Sequence, residues 1–489
     1  MKLAALRSRM LWALLPPLAV FAALSVLYVL QNPLETDEGF YGIAARSASE
    51  GRWVYRDFAF NQTHLFPYLH GLLLRAVGFG LFSHRALCAG YAALALLLIA
   101  AAALTPRRGF SFGLLTWTLA LSPFLVARLA LGQSFSLAAL FLLSAGAISL
   151  LRLDPSARRW WLAVLGALAI GCKLTVAPAV AVLWGYEAFG SRSRQALLAP
   201  LFASAVVFLP VILIGPEQWW FWNVGFHLGL EGIDFRGAGA YRDHLQMAPG
   251  VLLLGLLVTV LAWRRGLQRT PAFFVVLAAL GAWALQLPLP STQGEYAILF
   301  LPLLALGTAE LLTQLEPPLR FRYLLCGVPL LGLLTGLPPR DPLLRTELNQ
   351  VAQRLREEVP GSQAILTPLP VVALQSGHRL VPRLEMGPFC LTSELDDLRA
   401  VRLGVHTPAS LMAAVEGGPG AIVLTSQPST WDFYWSIPSL APVPEAARAA
   451  LFARIARVGF QPVLRNGQFT LLLPDPAGKP AAPFWKPPR

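Results

Sequence analysis

Charged residues are scarce in this chain of 489 residues: they make up 13% of it, whereas 56% of its residues are hydrophobic. Soluble globular proteins carry about a quarter charged residues. The deficit excludes an ordinary soluble enzyme and predicts a polytopic membrane protein. The net charge is +13. The sequence nevertheless lacks a water-facing surface on which basic and aromatic residues alternate, so nucleic acid is not an expected partner.

Cysteine is also rare, with four residues in the whole chain. Cys88, Cys172 and Cys326 lie in apolar runs, which argues against a disulfide framework or a zinc site. The sequence has no G-x-x-x-x-G-K phosphate loop and no serine or cysteine nucleophile signature. Nucleotide-driven chemistry is therefore not indicated.

Long apolar runs are abundant, and they predict about eleven membrane-spanning helices. The first run is about 20 residues long, and no small-residue cleavage site follows it, so we expect a retained span rather than a signal peptide. The predicted spans are 11–30, 84–104, 111–128, 134–151, 160–171, 174–189, 196–214, 249–263, 271–288, 297–313 and 321–337.

Arginine and lysine predict the orientation of these spans, because basic residues collect in cytoplasmic loops. The basic residues of one set of loops are Lys2, Arg7, Arg9, Arg107, Arg108, Arg152, Arg158, Arg159, Arg192, Arg194, Arg264, Arg265, Arg269, Arg320 and Arg322. The opposite loops, which include 31–83 and 215–248, are expected outside the cytoplasm. We expect a multi-pass protein of the inner membrane.

Three regions are predicted along the chain. Residues 1–339 form a transmembrane domain. Residues 340–473 form a small α/β domain on the outer face, because short apolar runs expected to be strands, at 364–366, 421–424 and 469–473, alternate with helical patterns. The tail 474–489 is Pro-rich and is expected to be disordered. The first outer loop is expected to hold a short helix over 37–49 and an interfacial helix over 64–77, and an aromatic cluster opens the loop 215–248.

Two adjacent acids, Asp37 and Glu38, follow the first span at the start of the predicted outer helix. Acids in a first helical turn are favoured by the helix dipole, which is a sufficient structural reason for one of them. A carboxylate at the edge of a membrane also suits a general base that takes a proton from an attacking hydroxyl or amine. Coordination of a divalent metal by Asp37 is a further possibility.

Other polar residues of the predicted outer side are candidates for substrate binding. Lys173 lies between two apolar runs, where its ammonium could pair with a lipid phosphate or reach headgroups as an anchor. The remaining candidates are Tyr41, Asp57, Gln62, His64, Arg128, Glu295 and Tyr296, and each could equally be an ordinary solvated or structural residue.

The motifs Asp37-Glu38-Gly39-Phe40-Tyr41-Gly42, Gly51 to Phe58, Gln62 and Pro67-Tyr68 resemble a known family. The chain is similar to polytopic glycosyltransferases of the GT-C class, within the bacterial branch of the superfamily of protein mannosyltransferases and lipid A aminoarabinose transferases. The resemblance implies inverting transfer from a polyprenyl-phosphate sugar, with Asp37 as the catalytic acid of the first loop. Members often carry another acid at the start of the fourth span, where this chain has none in Arg128 to Ser134.

The sequence thus predicts a membrane glycosyltransferase whose partners are a polyprenyl-phosphate sugar donor and membrane lipids. Which sugar and which acceptor it uses are left open. A transporter or flippase of lipid-linked sugars is an alternative, although many transporters place charges in mid-membrane and this chain places them at the rim. A non-catalytic assembly factor of the cell envelope is the other alternative.

Overall fold

The computed structural model of the protein describes residues 2–475 and 477, except 106, 192, 231–237, 288–293 and 427–431. The chain divides into two compact units, and each unit is discontinuous in sequence. The helical unit comprises Met1–Val29, Cys88–Pro210 and Phe235–Pro339. The mixed unit comprises Leu30–Leu87, Val211–Asp234 and Arg340–Arg489. The predicted disorder of the tail beyond residue 477 lies outside the described residues.

Helices, most of them apolar, make up the helical unit or extend into it. Their bounds are Lys2–Gln31, Leu81–Ala102, Gly109–Ala120, Pro123–Leu129, Phe135–Leu150, Pro155–Cys172, Ala177–Ser191, Arg194–Ile214, Ala238–Met247, Pro249–Arg264, Pro271–Gln286, Leu301–Leu315, Leu319–Leu325 and Leu331–Leu334, with short 3-10 turns at Leu174–Val176, Leu267–Arg269, Gly294–Leu299 and Val328–Leu330.

Three described helices are long and apolar enough to cross a membrane: Leu14–Gln31, Leu81–Ala102 and Gln195–Ile214. The helices Gly109–Ala120 and Pro123–Leu129 together form a fourth candidate, bent by 73°. A largely helical membrane protein was therefore correctly predicted, whereas length and hydropathy alone do not establish eleven spans. The last predicted span is interrupted around Pro329, since proline has no N–H for a helical hydrogen bond.

A mixed sheet organises the C-terminal part of the mixed unit. Its strands are β1 (Ala364–Leu366), β2 (Arg379–Leu380), β3 (Ala421–Thr425), β6 (Phe460–Arg465) and β7 (Phe469–Pro474), and a separate hairpin pairs β4 (Trp435–Ser436) with β5 (Ala441–Pro442). The strand order is β2-β1-β3-β7-β6. The β1 strand is parallel to both neighbours, and β7 is antiparallel to both of its neighbours.

Alternate residues of the central strands enter two different cores, as the two-residue period of a strand requires. Ile365 and Val423 pack on one face with the helix Leu344–Glu358, and Leu366 and Ile422 pack on the other face. Both faces are apolar because helices cover both. The remaining helices of this part are Pro370–Ser376, Asp397–Leu403, Pro408–Glu416 and Glu445–Arg457.

The first predicted outer loop contributes two helices to the mixed unit. The acidic helix spans Thr36–Ser49, and the second loop helix spans Leu65–Val77. The segment that carries the aromatic cluster is helical from Pro216 to Leu228, with a π-helical turn over Phe221–Gly225. Its Trp222 is fully buried and donates to the carbonyl of Leu403 over 3.1 Å, so this tryptophan packs inside the protein.

Candidate active site

The predicted acid pair lies in the first turn of the acidic helix, which begins directly after the N-cap residue Glu35. Asp37 is half-buried, whereas Glu38 is completely buried. The backbone N–H of Glu35 donates to Glu38 Oε2 over 3.3 Å. A carboxylate in this turn satisfies an N–H that has no partner within the helix and is stabilised by the helix dipole.

A buried arginine occupies both oxygens of Glu38. Arg85 Nε donates to Oε1 over 2.8 Å, and Nη2 donates to Oε2 over 2.6 Å. The same guanidinium donates to the carbonyls of Asn32 and Pro33 over 2.9 and 2.8 Å. Arginine offers five donors in a planar fork, which suits one carboxylate and two carbonyls at once. This contact fixes the linker before the acidic helix as well as its first turn.

Glycines allow the acidic helix to pack closely on its neighbours. A Cβ on Gly39 would lie 2.6 Å from the backbone nitrogen of Val371, in the helix Pro370–Ser376. A Cβ on Gly71 of the second loop helix would overlap the carbonyl oxygen of Ala45. Both glycines are therefore needed for the close approach of neighbouring backbones. For Gly39, this explains the glycine of the Asp-Glu-Gly motif.

Tyr41 follows the acid pair by about one turn of the acidic helix and belongs to an aromatic cluster. Its ring stacks on Phe40 at 4.6 Å between centroids and meets the rings of Phe60 and Phe66 edge-on at 5.6 and 5.5 Å. All four side chains are buried. Edge-to-face pairs add about 0.5–1.5 kcal/mol each beyond burial. The packing of Tyr41 in this cluster helps to hold the acidic helix in place.

Asp57 lies in the loop between the two helices and makes a local ion pair. Its Oδ1 accepts from Arg56 Nε over 2.7 Å, and its Oδ2 accepts from the backbone N–H of Trp53 over 2.7 Å. The Arg56 hydrogen bond holds the pKa of Asp57 below its usual range. The carboxylate is consequently charged at neutral pH, and it fixes the turn.

Gln62 and His64 complete the same loop. The backbone carbonyl of Gln62 accepts from the Tyr55 hydroxyl over 2.6 Å, and that hydroxyl accepts from Asn223 Nδ2 over 2.9 Å. Burial raises the pKa of Tyr55 far above its usual value, so it stays a neutral donor. His64 is buried at the N-cap of the second loop helix, with its ring 6.4 Å from that of Tyr68.

The other candidates belong to the helical unit. The side chain of Lys173 is buried, with Nζ 4.0 Å from the ring centroid of Phe135 and 5.1 Å from that of Tyr296. A desolvated cation over ring faces gains about 2 kcal/mol or more. Arg128 is half-buried in the last turn of its helix. The side chain of Glu295 lies outside the described residues.

The structure thus brings Asp37, Glu38 and Tyr41 together on one helix, and it brings Lys173 and Tyr296 together in the other unit. Sequence reasoning missed Arg85, although a signal was present. Arg85 is a basic residue at the predicted outer end of the second span, where the positive-inside rule predicts few. No pattern in the sequence pointed to Asn223.

A divalent cation bound at Asp37 would gain little coordination from the neighbouring Glu38 carboxylate. Hard cations need several oxygen ligands, often from paired carboxylates. Both oxygens of Glu38 accept hydrogen bonds from the Arg85 guanidinium, whose positive charge also opposes a second cation there. The acid pair therefore does not fit a two-carboxylate metal site.

Comparison with known proteins finds similarity at the level of the fold. No family model and no curated protein sequence matches this chain. Among solved structures, ArnT from Cupriavidus metallidurans bound to undecaprenyl phosphate has a TM-score of 0.59 at 13% identity, over 95% of this chain and 99% of that chain. Its apo form gives 0.58 at 15% identity, over 93% and 97%.

The apo oligosaccharyltransferase of Archaeoglobus fulgidus is also similar, with a TM-score of 0.50 at 12% identity, over 85% of this chain and 69% of that chain. Sequence identities this low establish similarity of fold and not similarity of substrate. ArnT and the oligosaccharyltransferase are both membrane glycosyltransferases of the GT-C class. The resemblance stated from the sequence is confirmed at the level of architecture: this chain has the GT-C fold.

Proposed function

We propose that this protein is a membrane glycosyltransferase that moves a sugar from a polyprenyl-phosphate carrier to an acceptor outside the cytoplasm. The observation that carries the proposal is the fixed first turn of the acidic helix. Arg85 holds Glu38 completely buried, while the adjacent Asp37 remains half-buried. The GT-C fold supports it, as does the similar ArnT structure that binds undecaprenyl phosphate.

Asp37 acts as the general base in this mechanism. An acceptor hydroxyl or amine attacks the anomeric carbon of the donor sugar and gives its proton to the Asp37 carboxylate. The bond between that carbon and the phosphate oxygen breaks, polyprenyl phosphate leaves, and the anomeric configuration inverts. The helix dipole keeps Asp37 charged and weakens it as a base, so precise positioning must supply much of the rate.

Glu38 positions this base and does not itself exchange a proton with the substrate. A carboxylate that is completely buried and bound to a guanidinium through both oxygens has little access to an acceptor. Its role is to hold the turn, together with Arg85. Tyr41 supports the same turn from the aromatic cluster.

Lys173 and Arg128 are proposed to bind the donor phosphate. An ammonium over aromatic rings is already desolvated, so an incoming phosphate would find a cation whose hydration has largely been removed. Tyr296 contributes one of the two ring faces. Glu295 and the loop residues Asp57, Gln62 and His64 remain candidate contacts of the sugar or acceptor.

The proposal includes the membrane arrangement. The shorter apolar helices, such as Phe135–Leu150 and Leu301–Leu315, complete a set of about eleven spans in the inner membrane. Residues 340–473 then form a domain outside the cytoplasm. The orientation rests on the distribution of arginine and lysine among the loops.

Replacement of Asp37 tests the proposed chemistry directly. We expect Asp37→Asn to keep the fold and to lower transfer about 10²–10⁴-fold, the usual contribution of a general base. The assay follows labelled sugar from polyprenyl-phosphate hexose and pentose donors into product in membranes. The matched control is Glu357→Gln, an exposed carboxylate near the end of the helix Leu344–Glu358 in the same unit.

Full turnover in a folded Asp37→Asn protein would remove the catalytic role of this residue. Sugar carriers that cross the membrane without any new glycosidic bond would instead identify a flippase. Thermal unfolding midpoints of the variant and the control must agree with that of the unmodified protein, so that lost activity is not lost folding.

A further inference from the structure

A cavity of about 570 Å³, lined by both polar and apolar side chains, lies within the mixed unit beside the C-terminal half of the acidic helix. Arg46, Ser47 and Arg52 line it from the helix and the residues that follow, and His378, Arg379 and Glu385 line it from the other side. Small-molecule sites typically measure about 300–1,000 Å³. The cavity therefore has the size of a ligand site.

Two of the guanidiniums are fixed by the protein. Arg46 donates to the carbonyls of Gly377 and His378 over 2.9 and 3.2 Å, and its Nε lies 3.0 Å from a Glu50 oxygen. Arg52 donates to the carbonyl of Asp57 over 2.6 Å and to Glu385 Oε1 over 2.9 Å. These contacts hold the wall before any ligand binds, which lowers the ordering cost of binding.

Two buried polar atoms of the lining are unsatisfied. No described residue donates a hydrogen bond to Glu385 Oε2, although this side chain is only 7% exposed. His378 Nε2 lies 3.1 Å from the carbonyl of Val359 and must donate to it, which leaves Nδ1 as an acceptor. Within the described chain this Nδ1 also has no partner. Buried polar atoms are normally hydrogen-bonded, so these two acceptors are exceptions among the described residues.

The charges select the kind of ligand. The carboxylates of Glu50 and Glu385 can only accept hydrogen bonds, whereas Arg379, an exposed residue of the edge strand β2, can only donate. The ion pairs Arg46–Glu50 and Arg52–Glu385 neutralise most of the charge of the lining, which weakens its attraction for a simple anion or cation. A neutral hydroxyl group both donates and accepts. Several hydroxyls on one rigid ring would match this lining.

We propose that this cavity is a saccharide-binding site, separate from the reaction centre. Ser47 is ten residues beyond Asp37 on one helix, which places the two about 15 Å apart along the axis. That the bound saccharide belongs to the glycan acceptor rests on the proposed function. Saccharide binding itself does not, because it can be measured without any transfer.

Saturation-transfer NMR on the full-length protein in nanodiscs tests the site. The probes are mannose, N-acetylglucosamine, arabinose and their disaccharides, and inorganic phosphate serves as the competing anion. We expect saturable binding of at least one saccharide. Glu385→Gln should weaken that binding about tenfold or more, since hydrogen bonds to charged groups are the strong ones.

Arg379→Ala is the second variant, because Arg379 is exposed on an edge strand and its removal should leave the fold intact. We expect several-fold weaker saccharide binding for it. The matched control is Arg457→Ala, an exposed arginine at the end of the helix Glu445–Arg457, which should change nothing.

Several results would overturn the proposal: no saturable saccharide binding, binding unchanged in both cavity variants, or phosphate bound in place of the sugars. Asp37→Asn separates the two hypotheses. Binding retained in that variant with transfer lost would support both, and binding retained without any transfer in the unmodified protein would leave the saccharide site standing alone.

Discussion

The ion pairs near the two ends of the acidic helix differ in how completely they are buried and hydrogen-bonded. At its N-terminal end, Arg85 and Glu38 are both completely buried, and the guanidinium reaches one carboxylate and two carbonyls. Beyond its C-terminal end, Arg52 and Glu385 also pair at 2.9 Å, but a cavity adjoins them and Glu385 Oε2 has no donor among the described residues.

This difference separates a closed structural contact from the lining of the proposed saccharide site. A buried pair with its hydrogen bonds made resists change, because removing one partner leaves the other charge buried and alone. The Arg52–Glu385 pair borders a cavity, and its arginine is partly exposed, so a ligand can reach it. Glu38 and Glu385 are both buried, and they differ in whether both carboxylate oxygens accept hydrogen bonds.

Arg85→Met should break the Glu38–Arg85 ion pair and cause the largest loss in the free energy of unfolding. The variant leaves the Glu38 carboxylate buried without its cation, which typically costs about 3–5 kcal/mol. We expect a strongly lowered thermal unfolding midpoint in detergent and loss of transfer.

The double variant Glu38→Gln with Arg85→Met removes both charges and should recover part of that stability. Its partial recovery distinguishes an isolated charge from mere loss of packing. A single Arg85→Met variant as stable as the unmodified protein would show that the pair does not hold the first turn.

Gly71→Ala sharpens the comparison by disturbing the packing of the acidic helix without altering charge. Its added methyl group would overlap the carbonyl oxygen of Ala45, and overpacking of this kind costs about 1–3 kcal/mol. We expect a lower unfolding midpoint, measured against Gly361→Ala, whose methyl group would meet open space. Equal midpoints for the two variants would mean that the second loop helix shifts freely.

Asp57→Asn should have the smallest effect, because its pair with Arg56 is largely exposed and such pairs contribute about 0–1 kcal/mol. The lowered pKa of Asp57 means that its contribution is present above the ordinary carboxyl pKa, about 3.9, and is lost as the pH falls through the folded-state value. The difference in unfolding midpoint from the unmodified protein should thus shrink below about pH 4. A difference that persists there would contradict the ion-pair explanation.

Local patterns predicted much of this fold. The helix expected over 37–49 is present as Thr36–Ser49, and the strands expected at 364–366 and 421–424 are present as β1 and β3. Each of these segments carries its own signal, either acids in a first helical turn or a short run of branched apolar residues. The fold class followed from such signals together with the motif order.

Other features depend on contacts that no local pattern contains. The Glu38–Arg85 pair joins residues 47 positions apart, and Arg85 was hidden at the end of an apolar run. The edge strand β2 has only two residues, too few to show an alternation of apolar and polar residues. Pro462 interrupts the strand pattern of β6. The cavity at Arg379 and Glu385 arises only when distant segments of the mixed unit pack together. The catalytic role of Asp37 stays a prediction.

Both residues of the Glu38–Arg85 ion pair lie between positions 32 and 85 of the chain. The carbonyls of Asn32 and Pro33, which also accept from Arg85, lie in the same stretch. Every group of this contact is synthesised before the helices that follow Ala102. The ion pair can therefore form during biosynthesis, once these residues have left the ribosome and while later helices are still being made. Arg85 would then need no later part of the chain to neutralise its charge.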